Sequence, residues 1–308
     1  VTTARTIVDR RAGEPAEKAR AGGEAYGDFR MTSADFDKIA SLLYAQAGIH
    51  LSGEKTALVY SRLSKRLRAL GMASFREYCA LLEAEDGRGG ERMQMLAALT
   101  TNVTRFFREQ NHFDHLRARL PALLATARDG GRVRFWSAGC SNGHEPFSLA
   151  MTILAAMPEV DRTDLRILAS DIDPNVLAFG RAGIYPVEDI ENVPTDMRRK
   201  WFRPVKDVAR RDGPALGFAL AEPVRSLVAF RELNLNGDWP MKGQFDVIFC
   251  RNVTIYFDQP TRERLWLRFA EKLKPGGILY VGHSERVAGQ ATGLLAYDAN
   301  TAYRRIGA

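Results

Sequence analysis

Residues Arg134–Met151 read RFWSAGCSNGHEPFSLAM. An apolar run from Val133 to Trp136 enters a cluster of small residues, and Glu145-Pro146 then opens a run with helical spacing. Strand, small-residue loop and helix in that order are how α/β proteins hold a nucleotide-like cofactor. The loop restricts which one. A P-loop needs GxxxxGK followed by Ser or Thr, and CSNGHEP after Gly139 contains no lysine. A dinucleotide fingerprint needs GxGxxG, and here the glycine between Gly139 and Gly143 is missing. A pyrophosphate also requires free amides clustered at the helix start. S-adenosylmethionine carries no phosphate and needs only a small, tight turn. Asp171, in ILASDIDPNVL, ends the next expected strand. A carboxylate there can accept hydrogen bonds from both ribose hydroxyls. It suits a dinucleotide equally, so only the loop discriminates. Asp173, ahead of Pro174, is the better cap for the following helix.

These residues need a scaffold. Ser33 can cap a helix carrying Phe36, Ile39, Leu42 and Leu43 on one face. Further helices are expected over 54–70, stopped by Gly71, and over 75–84 and 92–99. None alternates with a strand, which implies a small all-helical domain. After a helix over 110–128, strands are expected at 133–137, 166–170, 227–231, 245–250 and 277–282. Helices over 145–157, 174–181 and 260–273 lie between several of them. The alternation implies a mostly parallel sheet with helices on both faces. Residues 294–306 read as a closing antiparallel hairpin, and 203–226, rich in Pro, Gly and Arg, as a small insertion of short strands and turns. Residues 1–30 show no periodicity and read as a mobile tail.

Composition sets outer bounds. The chain has 308 residues, 45% hydrophobic and 26% charged, as in globular proteins. No apolar run approaches the roughly 18 residues that cross a bilayer, and no secretory signal is visible. Cys79, Cys140 and Cys250 lie far apart, which suits a reducing cytoplasm and argues against a disulfide framework or structural zinc. His112 and His115 share a helix face without an evident third ligand, so no metal site is expected. The net charge of +7 favours an anionic partner or simple solubility.

Five motifs then occur in order: LTTNVTRFFREQNHF (99–113), SAGCSNGHEPFSLAM (137–151), ASDID (169–173), FDVIFCRNVTIYF (245–257) and LKPGGILYVGHSE (273–285). Together they resemble the chemotaxis-receptor glutamate methyltransferases, the CheR family, over about 31–306. The resemblance implies an α/β fold: a Rossmann-like class I methyltransferase sheet with an all-helical N-terminal domain and a small inserted antiparallel β-subdomain. It divides the chain into a tail (1–30), a helical receptor-docking domain (31–105) and a methyltransferase domain (106–308) with its insert at about 200–228. It implies transfer of the S-adenosylmethionine methyl to glutamate side chains on the helical cytoplasmic bundles of chemoreceptors, leaving S-adenosylhomocysteine. The expected cofactor residues are Asn102, Thr104, Arg108, Gly139, Glu145, Asp171, Asn234, Leu235, Arg251 and Asn252. Arg108 and Tyr256 would be catalytic, with Tyr256 facing the transferring methyl. The family commonly has Ser-Thr-Gly-Glu-Glu-Pro where this chain has Ser141-Asn142-Gly143-His144-Glu145-Pro146, so the contribution of His144 is open.

One basic feature stands apart. In SRLSKRLRALG, Arg62, Lys65 and Arg66 share one helix face, and Leu63, Leu67 and Leu70 form the other stripe. The face is either solvated surface or a docking surface for an acidic receptor segment. Two rivals to receptor methylation are methylation of another acidic protein or of nucleic acid, and a non-catalytic cofactor-binding regulator. The Asn-Pro-Pro-Tyr type signature of base methylation is replaced here by RNVTIYF. No nucleic acid and no membrane insertion are expected.

Overall fold

The structure, a computed structural model, describes residues 28–85, 90–100, 102–210 and 213–307. The expected tail up to residue 27 lies outside them. Its last residues, from Asp28, are already seated. The Phe29 amide donates to the Tyr60 hydroxyl (3.0 Å), and Asp28 pairs with Arg68 (2.8 Å).

Four helices come first: α1 (Ser33–Ala47), α2 (Thr56–Leu70), α3 (Phe75–Ala84) and α4 (Glu91–Leu99). Thr32, not Ser33, caps α1, forming a reciprocal capping box with Asp35. Gly71 ends α2 in the left-handed conformation (φ 66°). Ile39, Leu43, Val59, Leu63, Leu67, Phe75, Tyr78 and Leu82 form a separate core. Each fully buried aliphatic side chain contributes about 1.5–3 kcal/mol. Leu70, expected in that stripe, is 41% exposed, because it lies in the last turn before Gly71.

The basic face of α2 is largely internal. Arg62 Nη1 donates to the carbonyls of Ala98, Leu99 and Thr100, closing the carboxyl end of α4. Arg66 grips buried Glu91 through Nε (2.8 Å) and Nη2 (2.5 Å), and the Tyr78 hydroxyl donates to the same carboxylate (2.8 Å). Of the three expected docking residues, Lys65 alone is exposed.

The second unit runs α5 (Gln110–Arg128), β1 (Val133–Ala138), α6 (His144–Ala156), β2 (Leu165–Asp171), α7 (Pro174–Ala182), β3 (Ile184–Pro186), α8 (Val187–Ile190) and α9 (Thr195–Trp201). It continues through β4 (Phe202–Arg210), β5 (Gly213–Leu220), α10 (Glu222–Arg225), β6 (Val228–Glu232), β7 (Phe245–Cys250), α11 (Gln259–Lys272), β8 (Leu273–Val281), β9 (Leu295–Ala299) and β10 (Ala302–Arg305). The main sheet has the order β6-β2-β1-β7-β8-β10-β9. From β6 to β8 all pairs are parallel, and β10 and β9 add the expected antiparallel hairpin. Asp173 caps α7 with Pro174 in its first turn. The small antiparallel sheet, β3-β5-β4, recruits Ile184–Pro186 from upstream of the expected insert. No helix of the described residues is long and apolar enough to cross a membrane.

The two units meet along one seam. Ile49 bridges Phe257, the His50 amide donates to the Tyr256 carbonyl (2.9 Å), and the Tyr44 hydroxyl donates to Asp258 (2.8 Å).

Removing Glu91 takes the acceptor from the buried Tyr78 hydroxyl and the partner from Arg66, which is 27% exposed. Glu91→Ala is therefore expected to destabilise the protein by about 1–3 kcal/mol, and Lys65→Ala by less than about 0.5 kcal/mol, both read from urea unfolding.

Candidate active site

The sheet changes direction between β1 and β7: the chain builds outward through β2 and β6, then returns to β7 on the other side of β1. A crevice outside the carboxyl ends of the strands is the expected result at such a point. It is there, enclosing about 1070 Å³ with its open mouth. Every residue that the resemblance assigned to the cofactor lines it. Gly139 follows β1, Glu145 opens α6 and Asp171 ends β2. Asn234 and Leu235 follow β6, and Arg251, Asn252 and Tyr256 follow β7. Asn102, Thr104 and Arg108 come from the segment joining the two units, and Ala47, Ile49 and Leu99 bring the helical unit in as a wall.

The turn after β1 is tight. The amides of Gly139 and Cys140 both donate to the Ser170 carbonyl (2.8 and 2.9 Å). Gly139 has φ 78°, and a Cβ there would lie 2.4 Å from Val253 Cγ2, so only glycine fits. Asp171 is buried. Its Oδ2 accepts from the Ser141 amide (2.8 Å) and its Oδ1 from the Asp173 amide (3.1 Å). A carboxylate has about four acceptor sites, so each oxygen keeps capacity for a ribose hydroxyl. Burial pushes its pKa up, opposed by those two amides.

Glu145 Oε1 accepts from the Ser137 hydroxyl (2.7 Å) and Oε2 from Arg251 Nη1 (3.3 Å). Burial raises its pKa, and Arg251 and Ser137 oppose the rise. Arg108 is half-buried, and its Nη1 donates to the Val103 carbonyl (2.8 Å). Tyr256 is half-buried in a short 3-10 turn, Thr254–Tyr256. The Asn102 amide group donates to Asp173 (3.2 Å). The side chain of Asn234 is committed elsewhere: Nδ2 donates to the Gln46 carbonyl (2.6 Å) and Oδ1 accepts from the Asn236 amide (2.9 Å). It ties the loop after β6 to the helical unit.

Two buried residues answer other points. His144 does not line the crevice. Its Nε2 meets Asp189 Oδ2 (3.1 Å), and its ring packs on Phe106 and Tyr185, joining α6 to the insert. Glu285 was not singled out in the sequence, although it ends the GHSE stretch. Its carboxylate accepts from the amides of Gly282 (2.5 Å), Asn252 (2.8 Å), Val253 (3.0 Å) and Thr254 (2.7 Å) and from the Thr254 hydroxyl (2.8 Å). It fixes the loop that carries Arg251, Asn252 and Tyr256. His283 beside it is exposed.

Four non-glycine residues around the crevice have positive φ: Phe107 (53°), Glu109 (57°), Ser141 (48°) and Asn252 (59°). Such strain persists where the surroundings over-determine it, and it concentrates at functional sites.

The crevice residues fit S-adenosylmethionine. Asp171 suits a ribose, Glu145 an ammonium group and Arg108 a carboxylate, while Leu235, Phe257 and Ile49 supply apolar walls. Because burial raises Glu145, protons compete for it at higher pH than for an ordinary carboxylate near 4.3. A cationic ligand favours the ionised form. The affinity for S-adenosylhomocysteine should therefore fall as pH drops through that raised pKa, and Glu145→Gln should flatten the profile, read by calorimetry across pH. Asp171→Ala should lower that affinity at all pH values, by about two hydrogen bonds to a charged group, roughly 3 kcal/mol or more.

Comparison with known proteins agrees with this geometry. Residues 102–302 match the family model "CheR methyltransferase, SAM binding domain", and residues 34–100 match "CheR methyltransferase, all-alpha domain". The chain is 52% identical over 264 residues to a probable chemotaxis protein methyltransferase of Rhizobium etli, covering 85% of this chain and 96% of that one. It is 43% identical to chemotaxis protein methyltransferase 2 of Pseudomonas aeruginosa (84% and 88% covered) and 40% identical to the chemotaxis protein methyltransferase of Escherichia coli (83% and 85% covered). The chain therefore belongs to the CheR methyltransferase family, and its cofactor is S-adenosylmethionine.

Proposed function

We propose that this protein esterifies glutamate side chains on the helical cytoplasmic bundles of chemoreceptors, in chemotaxis-type signalling in the cytoplasm. The observation that supports this best is that one crevice brings together two half-buried groups, Arg108 and Tyr256, with the carboxylates of Asp171 and Glu145. The names of the relatives support the same reading.

When bound, S-adenosylmethionine supplies a methyl group on a positively charged sulfur. The acceptor carboxylate, with an ordinary pKa near 4.3, is already ionised at neutral pH, so the protein need not remove a proton from it. Its work is to orient and to exclude water. Positioning of this kind can contribute about 7–11 kcal/mol. Opposite charges are neutralised as the ester forms, so a dry crevice favours the change over water, which stabilises the separated charges. A tight salt bridge to the attacking oxygen would hinder it. Arg108, already bonded to the Val103 carbonyl, is suited to orient a carboxylate without gripping the reacting oxygen. Tyr256 shapes the methyl pocket with its ring and can offer a weak hydrogen bond.

Of the three expected docking residues only Lys65 is left to face a receptor, since Arg62 and Arg66 hold the helical unit together. Lys65→Glu is expected to raise the apparent KM for receptor about threefold at low salt and to leave the affinity for S-adenosylhomocysteine unchanged; identical receptor kinetics would remove α2 as the docking face. The reading itself is tested by mass spectrometry of receptors co-expressed with the protein. Base-labile methyl esters on glutamates are expected. Unmodified receptors, or a base-stable methyl on DNA, would overturn it.

A further inference from the structure

Glu109 was not assigned a role by its sequence motif. It precedes α5 with φ 57°, a left-handed conformation that disfavours a non-glycine residue. It does not earn its place by capping, because its side chain makes no cap hydrogen bond to α5. It turns instead toward the loop after β7. Its Oε1 accepts from Asn252 Nδ2 (3.3 Å), and its Oε2 lies 3.3 Å from Arg251 Nη2.

Arg251 is thus placed between two carboxylates, since its Nη1 meets Glu145 Oε2 at the same distance, 3.3 Å. The guanidinium is 2% exposed, so these charges are felt with little screening. The contact to Glu109 Oε2 lacks hydrogen-bond alignment, so Glu109 acts on Arg251 mainly as a charge.

His112 lies on the far side of Glu109, with Nδ1 at 3.5 Å from Oε2. Its Nε2 faces the Asn300 carbonyl (2.5 Å) and Thr301 Oγ1 (2.9 Å), whose own proton goes to the Val281 carbonyl. Nε2 must therefore carry the hydrogen, which leaves Nδ1 with a lone pair and nothing to donate to Glu109. Burial and Arg251 push the His112 pKa down to about 4, so the ring is neutral at physiological pH. Burial alone would raise Glu109, but Arg251, the His283 amide and the Asn252 side chain hold it below the usual carboxylate value. Arg251 is thus shared between two carboxylates, and Arg108 acts on Glu145 only more weakly.

We propose that Glu109 is a positioning residue: it holds part of the charge of Arg251, so that Glu145 is not neutralised and the inner crevice stays negative for the ammonium group of the cofactor. The inference rests on the reading of Glu145 as the ammonium partner. Without Glu109, one guanidinium would face one carboxylate, and the attraction for a cation would be lost.

The test compares two ligands by calorimetry on the full chain. S-adenosylhomocysteine carries the ammonium group; methylthioadenosine shares the nucleoside and lacks the amino-acid portion. Glu109→Gln keeps the shape and removes the charge. Its affinity for S-adenosylhomocysteine is expected to fall by about tenfold or more, and its affinity for methylthioadenosine to stay within about twofold. Glu109→Asp, which keeps the charge, should recover most of the difference between the two ligands. Undiminished binding of S-adenosylhomocysteine by Glu109→Gln overturns the proposal. So does an equal loss for both ligands, or a variant too unstable to bind either, since Glu109 would then hold up the whole crevice. Glu145→Gln separates the two levels. If that variant binds S-adenosylhomocysteine normally, the reading of Glu145 fails whatever Glu109 does; if it binds weakly while Glu109→Gln binds normally, only the role of Glu109 fails.

Discussion

The carboxylate of Glu285 collects three backbone amides and one hydroxyl from Asn252, Val253 and Thr254 and a further amide from Gly282. A buried carboxylate with so many donors is satisfied, and the peptide groups it binds are held in one arrangement. Gly282 shows how close the fit is: a Cβ there would sit 2.6 Å from Asn252 Nδ2 and 2.7 Å from Glu285 Oε2. Asn252 keeps φ 59° against this anchor, Arg251 is aimed at both Glu109 and Glu145, and Tyr256 is delivered to the mouth of the crevice. The same loop continues into Phe257, which joins the helical unit.

The electrostatics of the crevice divide by depth. Asp171 and Glu145 are both raised by burial, and each is opposed by its own donors: backbone amides for Asp171, Arg251 and Ser137 for Glu145. Glu109, one step further from the crevice, is held down by Arg251 despite burial.

Much of this could be read in advance where a local pattern sets the structure. The β/α alternation, the bounds of α3, α5 and β7, the Gly71 stop and the Asp173 cap follow from periodicity and end signals a few residues long. Gly139 and Asp171 could be found because each stands at the end of a strand or in the turn beyond it, whereas the other crevice residues came from the family resemblance. What escaped depends on partners distant in the chain. Arg62 and Arg66 look like surface charge until α4 folds against α2 and offers three carbonyls and Glu91. The insert starts early because β5 has an open side for Ile184–Pro186, a pairing that three residues cannot announce. Glu109, Glu285 and His144 are typical polar residues in sequence; only their burial against partners 143, 33 and 45 positions away gives them a role.

The seam at Ile49 and Phe257 places the end of the first helix against the backbone of Tyr256. The crevice is thus assembled from two separately cored units, and neither forms it alone. A lesion inside the four-helix unit that shifts this joint by an ångström can therefore masquerade in kinetics as a defect of chemistry, since misplacement on that scale can slow turnover by about a hundredfold. Core variants of the four-helix unit that move this seam belong in the same phenotypic class as those at the strand ends.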